Sequence, residues 1–246
     1  MYIDQLAAIL AKSERVVFFG GAGVSTASGI PDFRSAEGIF SKQWNRSFSP
    51  EELVSHTFYK KHPQEFFRYY KTALVHPNAK PNPCHTALAE LEEMGKISAV
   101  VTQNIDGLHQ LAGSKNVIEL HGSVHRNYCE TCRSFYDLEY ILGAEGIPLC
   151  SKCGGRVKPD VVLYEESLNT HSIENAVNQI AHADTLIVGG TSLIVYPAAG
   201  LVRYFGGRHC VLINKNSTSL DHRADLVIQE DIAAVFQSVM DRLRAM

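Results

Sequence analysis

Four cysteines carry the most specific chemistry legible in the chain. Cys129 and Cys132 form one C-x2-C pair, and Cys150 and Cys153 form another seventeen residues later. Each pair suits a tight turn that offers two thiolates, and four thiolates close a tetrahedral zinc shell. With sulfur at every corner no position remains for water, so the zinc is expected to be structural. A second stretch is Gly20-Gly21-Ala22-Gly23-Val24-Ser25-Thr26, which follows an apolar run at 16–19. It reads as a strand, a glycine turn and a helix start, with Ser25 or Thr26 as cap and the first amides aimed at a phosphate. Its spacing departs from G-x-G-x-x-G. A third stretch, Gln103-Asn104-Ile105-Asp106-Gly107, ends another apolar run. It is either a polar floor at a strand end or turn and cap chemistry. His121 closes a short run at 117–120 and is either a base able to act near pH 7 or a buried strand-end histidine.

These residues need a frame, and the rest of the chain supplies one. Its 246 residues are 45% hydrophobic and 20% charged, as in a globular protein. A net charge of -3 argues against a nucleic-acid partner. No run approaches the roughly 18 apolar residues of a membrane span, and the first residues lack a signal-peptide layout. A cytoplasmic location is therefore expected, where cysteines serve metal or thiol chemistry more than disulfides. Buried strands at 16–19, 97–102, 117–120, 185–188, 210–213 and 226–228 alternate with helical patterns. The helices lie over 2–12, from Asn82-Pro83, around Ile173, Val177 and Ile180, from Pro197 to Gly206-Gly207, and through Ile232, Phe236, Val239 and Leu243. This alternation predicts an α/β fold with a doubly wound parallel sheet. Residues 35–75 differ, holding Phe40, Trp44, Phe58, Tyr59, Phe66, Phe67, Tyr69 and Tyr70 with helix starts at Ser49-Pro50 and His62-Pro63. They are expected to form a helical insert whose aromatics are core. The expected division is 1–34, 76–121 and 160–246 for a Rossmann-like domain, 35–75 for the insert and 122–159 for a small zinc-binding domain.

Several separate stretches together resemble the sirtuin family. They are Gly21-Ala22-Gly23-Val24-Ser25 with Gly29-Ile30-Pro31-Asp32-Phe33-Arg34, Thr102 to His109, His121-Gly122, the four cysteines, Gly190-Thr191-Ser192-Leu193 with Val195-Tyr196-Pro197, and Asn214. The resemblance spans nearly the whole chain. It implies an NAD-dependent protein-lysine deacetylase that uses NAD as co-substrate and carries one structural zinc. The products would be nicotinamide, O-acetyl-ADP-ribose and deacetylated protein. The resemblance assigns Gly21, Ala22, Gly23, Thr26, Asp32, Phe33 and Arg34 to NAD, around the pyrophosphate and nicotinamide ribose. It assigns Gln103, Asn104, Ile105 and Asp106 to the nicotinamide pocket. His121 would be the catalytic base, with Asn104 beside it. Gly190, Thr191, Ser192, Asn214, Lys215 and Ile232 would take the adenosine end. Acetylated proteins would bind as extended peptides along Val162, Leu163, Tyr164 and Glu165. Mono-ADP-ribosyl transfer, a non-catalytic NAD sensor and, more remotely, a dehydrogenase are the competing readings.

Two departures from the family pattern matter. Glu165 stands where the family commonly has glycine, and Leu163 and Tyr164 replace two phenylalanines. Charge alone suggests that Glu165 and Glu166 favour basic residues beside the target lysine. In addition, Phe67 and Tyr70 occupy the positions of a Tyr-x-x-Arg pair that resembles sirtuins preferring succinyl or malonyl groups. Neither can pair with a carboxylate as arginine does, so a neutral acyl group, acetyl first, is expected.

Overall fold

The computed structural model describes residues 1–33, 38–39 and 48–246. The expectations for Arg34, Phe40 and Trp44 lie outside the described residues. Helix α1 (Tyr2–Lys12) leads into strand β1 (Val16–Gly20), every residue of which is buried. After the glycine turn come three short helices, α2 (Pro50–Leu53), α3 (His56–Lys61) and α4 (Pro63–Tyr69), the last continuing as a wider turn over Tyr70–Leu74. Ser49 and Glu52 close a reciprocal cap at α2, as Ser-Pro-x-Glu predicts. Helix α5 (Pro83–Glu93), capped by Asn82, returns the chain to strand β2 (Ile97–Thr102). The one-turn helix α6 (Leu108–Leu111) and strand β3 (Val117–Glu119) follow.

The chain then leaves the main sheet. Strands β4 (Gly122–Cys129), β5 (Phe135–Tyr136) and β6 (Val157–Val161) form a small antiparallel sheet in the order β5-β4-β6, with α7 (Leu138–Gly143) beside it. Helix α8 (Thr170–Ala181), strand β7 (Thr185–Gly189), a 3-10 segment (Ala198–Tyr204), strands β8 (His209–Ile213) and β9 (Leu226–Ile228), and helix α9 (Ile232–Arg244) complete the fold. Among the described residues the main sheet has six parallel strands in the order β3-β2-β1-β7-β8-β9. This is the doubly wound arrangement predicted from the alternation. Winding reverses between β1 and β7, so a crevice opens beyond their carboxyl ends.

Successive residues of β1 face opposite cores. Phe18 joins Leu6, Leu10, Leu88 and Phe236 from α1, α5 and α9. Phe19 joins Ala176, Ile180 and Leu186 on the other face. A third core combines Phe58, Tyr59, Phe66, Phe67 and Tyr70 of the insert with Val124, Ile141 and Val157 of the cysteine module. The aromatics of the insert are thus core, as expected. Two local expectations change. Among the described residues no α-helix directly follows the glycine turn, only 3-10 turns at Ala22–Val24 and Thr26–Ser28, and Ser25 makes no side-chain cap. The segment after Pro197 is 3-10 rather than α.

Two histidines lie deep in this frame, His85 fully buried and His109 1% exposed, with ring centroids 4.7 Å apart. Burial first, and then the neighbouring His85, push His109 down to about 3. Burial pushes His85 down to about 4 against the pull of Asp106. Both are therefore neutral in the fold near pH 7. As pH falls below the ordinary value of 6.5, the unfolded chain takes up these protons first. Stability should fall between pH 7 and 5, with a slope of up to about 1.4 kcal/mol per pH unit for each histidine. Urea unfolding at pH 7, 6 and 5 checks this, and a midpoint constant across the series would contradict it.

Candidate active site

The crevice is built from two glycine turns in contact. Gly23 N–H donates to the Gly190 carbonyl at 2.8 Å, and Gly21 N–H donates to that of Gly189 at 3.2 Å. A Cβ at Gly23 would lie 2.8 Å from the Gly190 Cα, and one at Gly190 would lie 2.4 Å from the Val24 nitrogen. These glycines are therefore required by each other before any ligand is considered. Gln103 locks the junction: its N–H donates to the Gly20 carbonyl at 3.0 Å and its Nε2 to Thr191 Oγ1 at 3.1 Å. Thr191 N–H in turn donates to Asn214 Oδ1 at 2.9 Å. That bond fixes the amide of Asn214, whose buried Nδ2 has no partner among the described residues. A buried donor left unpaired at a cavity wall is a place for a ligand acceptor.

Two cavities meet here. The larger, about 600 Å³, is lined by Gly21, Ala22, Gly23, Thr26, Asp32 and Phe33, by Gly190, Thr191 and Ser192, and by Asn214, Lys215 and Ile232. Every described residue expected at the pyrophosphate and adenosine ends is thus on one wall or another. The smaller, about 230 Å³ and mainly apolar, is lined by Ile105 and Asp106 and by Val162, Leu163, Tyr164 and Glu165. Ala22, Phe33, Gln103, Asn104, His121 and Val195 face both.

His121 stands at the meeting point. Its Nδ1 is 2.9 Å from the Gln103 carbonyl, which only accepts, so Nδ1 carries the proton and Nε2 the lone pair. Burial lowers its pKa, partly offset by that hydrogen bond. Its own carbonyl accepts Val162 N–H at 3.0 Å, tying it to the segment expected to bind peptide. Asp106 is held on both oxygens: Ser25 Oγ donates to Oδ2 at 2.7 Å and Leu108 N–H to Oδ1 at 2.9 Å. Asn104 Nδ2 donates to the same Ser25 Oγ at 3.0 Å. Both readings of the Gln-Asn-Ile-Asp stretch therefore hold at once, since Asp106 makes the turn bond to the first N–H of α6 and also lines the cavity.

The sequence offers Ser25 as a cap and as part of the resembling stretch, and the structure makes it the bridge between Asn104 and Asp106. The larger cavity also takes in Asn216, Ser217, Thr218, Glu230 and Asp231. The polar run from Lys215 to Thr218 at the carboxyl end of β8 was the available signal. Asp231 caps α9 and pairs with Lys215 at 3.0 Å. Of the two carboxylates behind the suggested preference for basic flanks, Glu166 is engaged internally and Glu165 stays exposed. Glu165 Oε2 accepts Thr57 N–H at 2.8 Å, and the Glu166 carboxylate is taken by His56, Lys158 and Leu163 N–H. Glu165 has φ 74°, which explains why glycine suits that position.

The four cysteine Sγ atoms lie within 4.8 Å of one another, with Cys129–Cys153 and Cys132–Cys150 both at 3.5 Å. Zinc–sulfur bonds of about 2.3 Å in a tetrahedron place sulfurs about 3.8 Å apart, so the donor set and its spacing fit zinc.

A nucleotide-type crevice in a doubly wound sheet, opening onto a cysteine-bearing module, is the class that fold and site define. Residues 21–197 match the Sir2 family model. An NAD-dependent protein deacetylase of Clostridium perfringens is 61% identical over 240 residues, covering 97% of this chain and 98% of that protein. One of Staphylococcus aureus is 43% identical over 238 residues, with 97% and 98% covered. A solved Sir2 structure with p53 peptide and NAD+ is 38% identical with a TM-score of 0.86, covering 100% of both chains. A Sir2 bound to acetylated peptide also gives 0.86, at 38% identity over 98% of each. The chain belongs to the Sir2 family.

Gly122, directly after His121, carries the chain out of the sheet with φ 74°, and a Cβ there would lie 1.8 Å from the Asp160 carbonyl oxygen. Gly146 has a similar φ of 71° but no described atom within 4 Å of such a Cβ. Gly146→Ala should cost only the left-handed term, about 1–2 kcal/mol. Gly122→Ala should add a clash of about 1–3 kcal/mol or more. Denaturant unfolding of the two variants compares them, and equal losses would contradict the role of the Asp160 contact.

Proposed function

We infer that this protein is an NAD-dependent protein-lysine deacetylase, converting NAD and acetyl-lysine to nicotinamide, O-acetyl-ADP-ribose and free lysine. The observation that carries this reading is the meeting of a polar, nucleotide-sized cavity and a smaller apolar one at a single neutral histidine. NAD fits the larger cavity, where unpaired Asn214 Nδ2 awaits an acceptor. When bound, NAD supplies an electrophilic sugar carbon and a nicotinamide leaving group. Gly21, Ala22, Gly23, Thr26, Asp32 and Arg34 are assigned to the pyrophosphate and ribose side. Gly190, Thr191, Ser192, Asn214, Lys215 and Ile232 are assigned to the adenosine end. Asp106, held by Ser25, and Ile105 are assigned to the nicotinamide amide, while Phe33 excludes water from the reacting carbon.

The acyl-lysine enters through the apolar cavity, its peptide extended along Val162, Leu163, Tyr164 and Glu165. Among the described residues lining that cavity none is lysine or arginine, which supports a neutral acyl group. His121 Nε2 is the general base toward a ribose hydroxyl. Asn104 supports the same end of the site. Cys129, Cys132, Cys150 and Cys153 hold the structural zinc. The division proposed from sequence stays useful with one addition: the insert at 35–75 and the module at 122–159 share a core and act as one lobe. Among the described residues no helix is long and apolar enough to cross a membrane. The cytoplasm is the proposed location, where the thiols would remain reduced.

Incubation with an acetyl-lysine peptide, with and without NAD, tests the activity by following peptide mass and nicotinamide together. Nicotinamide release that needs acetylated peptide is expected; transfer of label from NAD to protein instead would indicate ADP-ribosylation. His121→Ala should keep NAD binding and lose about 10²–10⁴-fold in kcat. In the wild type kcat/KM should fall as pH drops through a pKa below 6.5, since burial holds His121 neutral. An acid limb centred above 6.5 would count against this assignment. Cys129→Ser should release the metal and destabilise the shared small lobe. Elemental analysis with thermal unfolding reads both, and a metal-free, equally stable variant would refute the structural role.

A further inference from the structure

Three buried side chains behind the site touch neither cavity yet close a ring around it. Asn82 is 5% exposed and uses its whole side chain. Its Oδ1 accepts Cys84 N–H at 2.9 Å, capping α5. Its Nδ2 donates to the Val24 carbonyl at 2.8 Å and to Ser28 Oγ at 2.9 Å. Val24 and Ser28 bracket Ser25, the residue that holds Asn104 and Asp106. The backbone N–H of Asn82 donates to His85 Nδ1 at 3.2 Å, so the imidazole fills the place that Glu or Gln takes in a capping box. His85 packs on His109, which belongs to α6, the helix whose first N–H bonds to Asp106. The ring therefore runs from Asp106 through Ser25 and the turn to Asn82, then through His85 and His109 back to the Asp106 carboxylate.

We propose that Asn82 and His85 are positioning residues for NAD: they hold the turn over 24–28 from behind, so that Ser25 keeps Asn104 and Asp106 in register for the nicotinamide end. This rests on the deacetylase reading above and extends it to residues that contact no substrate. The two Asn82 functions are separable in chemistry. Aspartate caps a helix as well as asparagine but cannot donate to the Val24 carbonyl. The net worth of a hydrogen bond of this kind bounds what a loosened turn can take from NAD affinity at roughly tenfold.

Asn82→Asp is the main test, with His85→Gln and His85→Leu as a pair. Glutamine can still accept from Asn82 N–H and leucine cannot. NAD affinity by calorimetry, acetyl-lysine peptide affinity without NAD, thermal midpoint and the two KM values are measured on the folded variants. Asn82→Asp is expected to weaken NAD about tenfold in Kd and in KM while peptide affinity stays within twofold. His85→Gln should stay within about threefold of wild type and His85→Leu should resemble Asn82→Asp. Wild-type NAD affinity in Asn82→Asp would overturn the proposal. So would equal losses of NAD and peptide affinity, or a glutamine variant no better than leucine. The binding measurements do not depend on turnover. An inactive wild type that still binds NAD would therefore fail the deacetylase reading while leaving this ring to be judged separately.

Discussion

The contact between two backbones at the winding reversal is what the rest of the structure depends on. Strands β1 and β7 lie side by side, and the turns that leave them touch through Gly23 and Gly190. A single methyl group at either position would meet backbone, not a yielding side chain. The two turns can therefore lie side by side only as glycine, and once they do, the crevice mouth is fixed. Gln103, from the next strand, then has one place to go, between the Gly20 carbonyl and Thr191. Its own carbonyl is left to orient His121, which sets the imidazole tautomer. A packing constraint in the backbone thus becomes, by way of Gln103, the tautomer of a base.

The second half of the site is assembled differently. Its wall belongs to a lobe whose core is shared by helices from one part of the chain and by the cysteine module from another. Tyr164 pairs through both its N–H and its carbonyl with residues 54 and 56 of the insert. Glu165 and Glu166 reach back to the first turn of α3 and to Lys158. Substrate-facing chain is thereby bound to the insert by main-chain and carboxylate contacts, with Glu166 engaged internally and Glu165 still exposed. What it shows to a peptide is apolar surface together with the Glu165 carboxylate.

Much of this was legible in the sequence where one local rule dominates. Continuous apolar runs gave the buried parallel strands, and paired cysteines gave the metal cluster, because both are set by periodicity or spacing alone. Legibility failed where two partners far apart in sequence decide the outcome. Ser25 looked like a helix cap, but Asp106 and Asn104, some eighty residues on, recruit its hydroxyl. Glu165 looked like an unattached side chain, but the N–H of Thr57 holds its carboxylate in place. Gly21 and Gly23 looked like room for a ligand, and they are first room for Gly190. The order of strands, which creates the crevice, is likewise a property of tertiary pairing and not of any one segment.

The separate cores have a consequence for how such a protein can vary. The sheet buries its two faces in two clusters of its own, while the insert, the cysteine module, Val54 and Leu163 share a third. Changes to acyl or peptide preference can accumulate in that third cluster without repacking the nucleotide half. The reverse also holds for residues beneath β8 and β9. The joint between them runs through His121 and Gly122 and through contacts such as Val124 N–H to the Ile105 carbonyl, so His121 is one of several residues both halves must agree upon. The molecule is in this sense modular, with the reacting groups held at the seam its halves share.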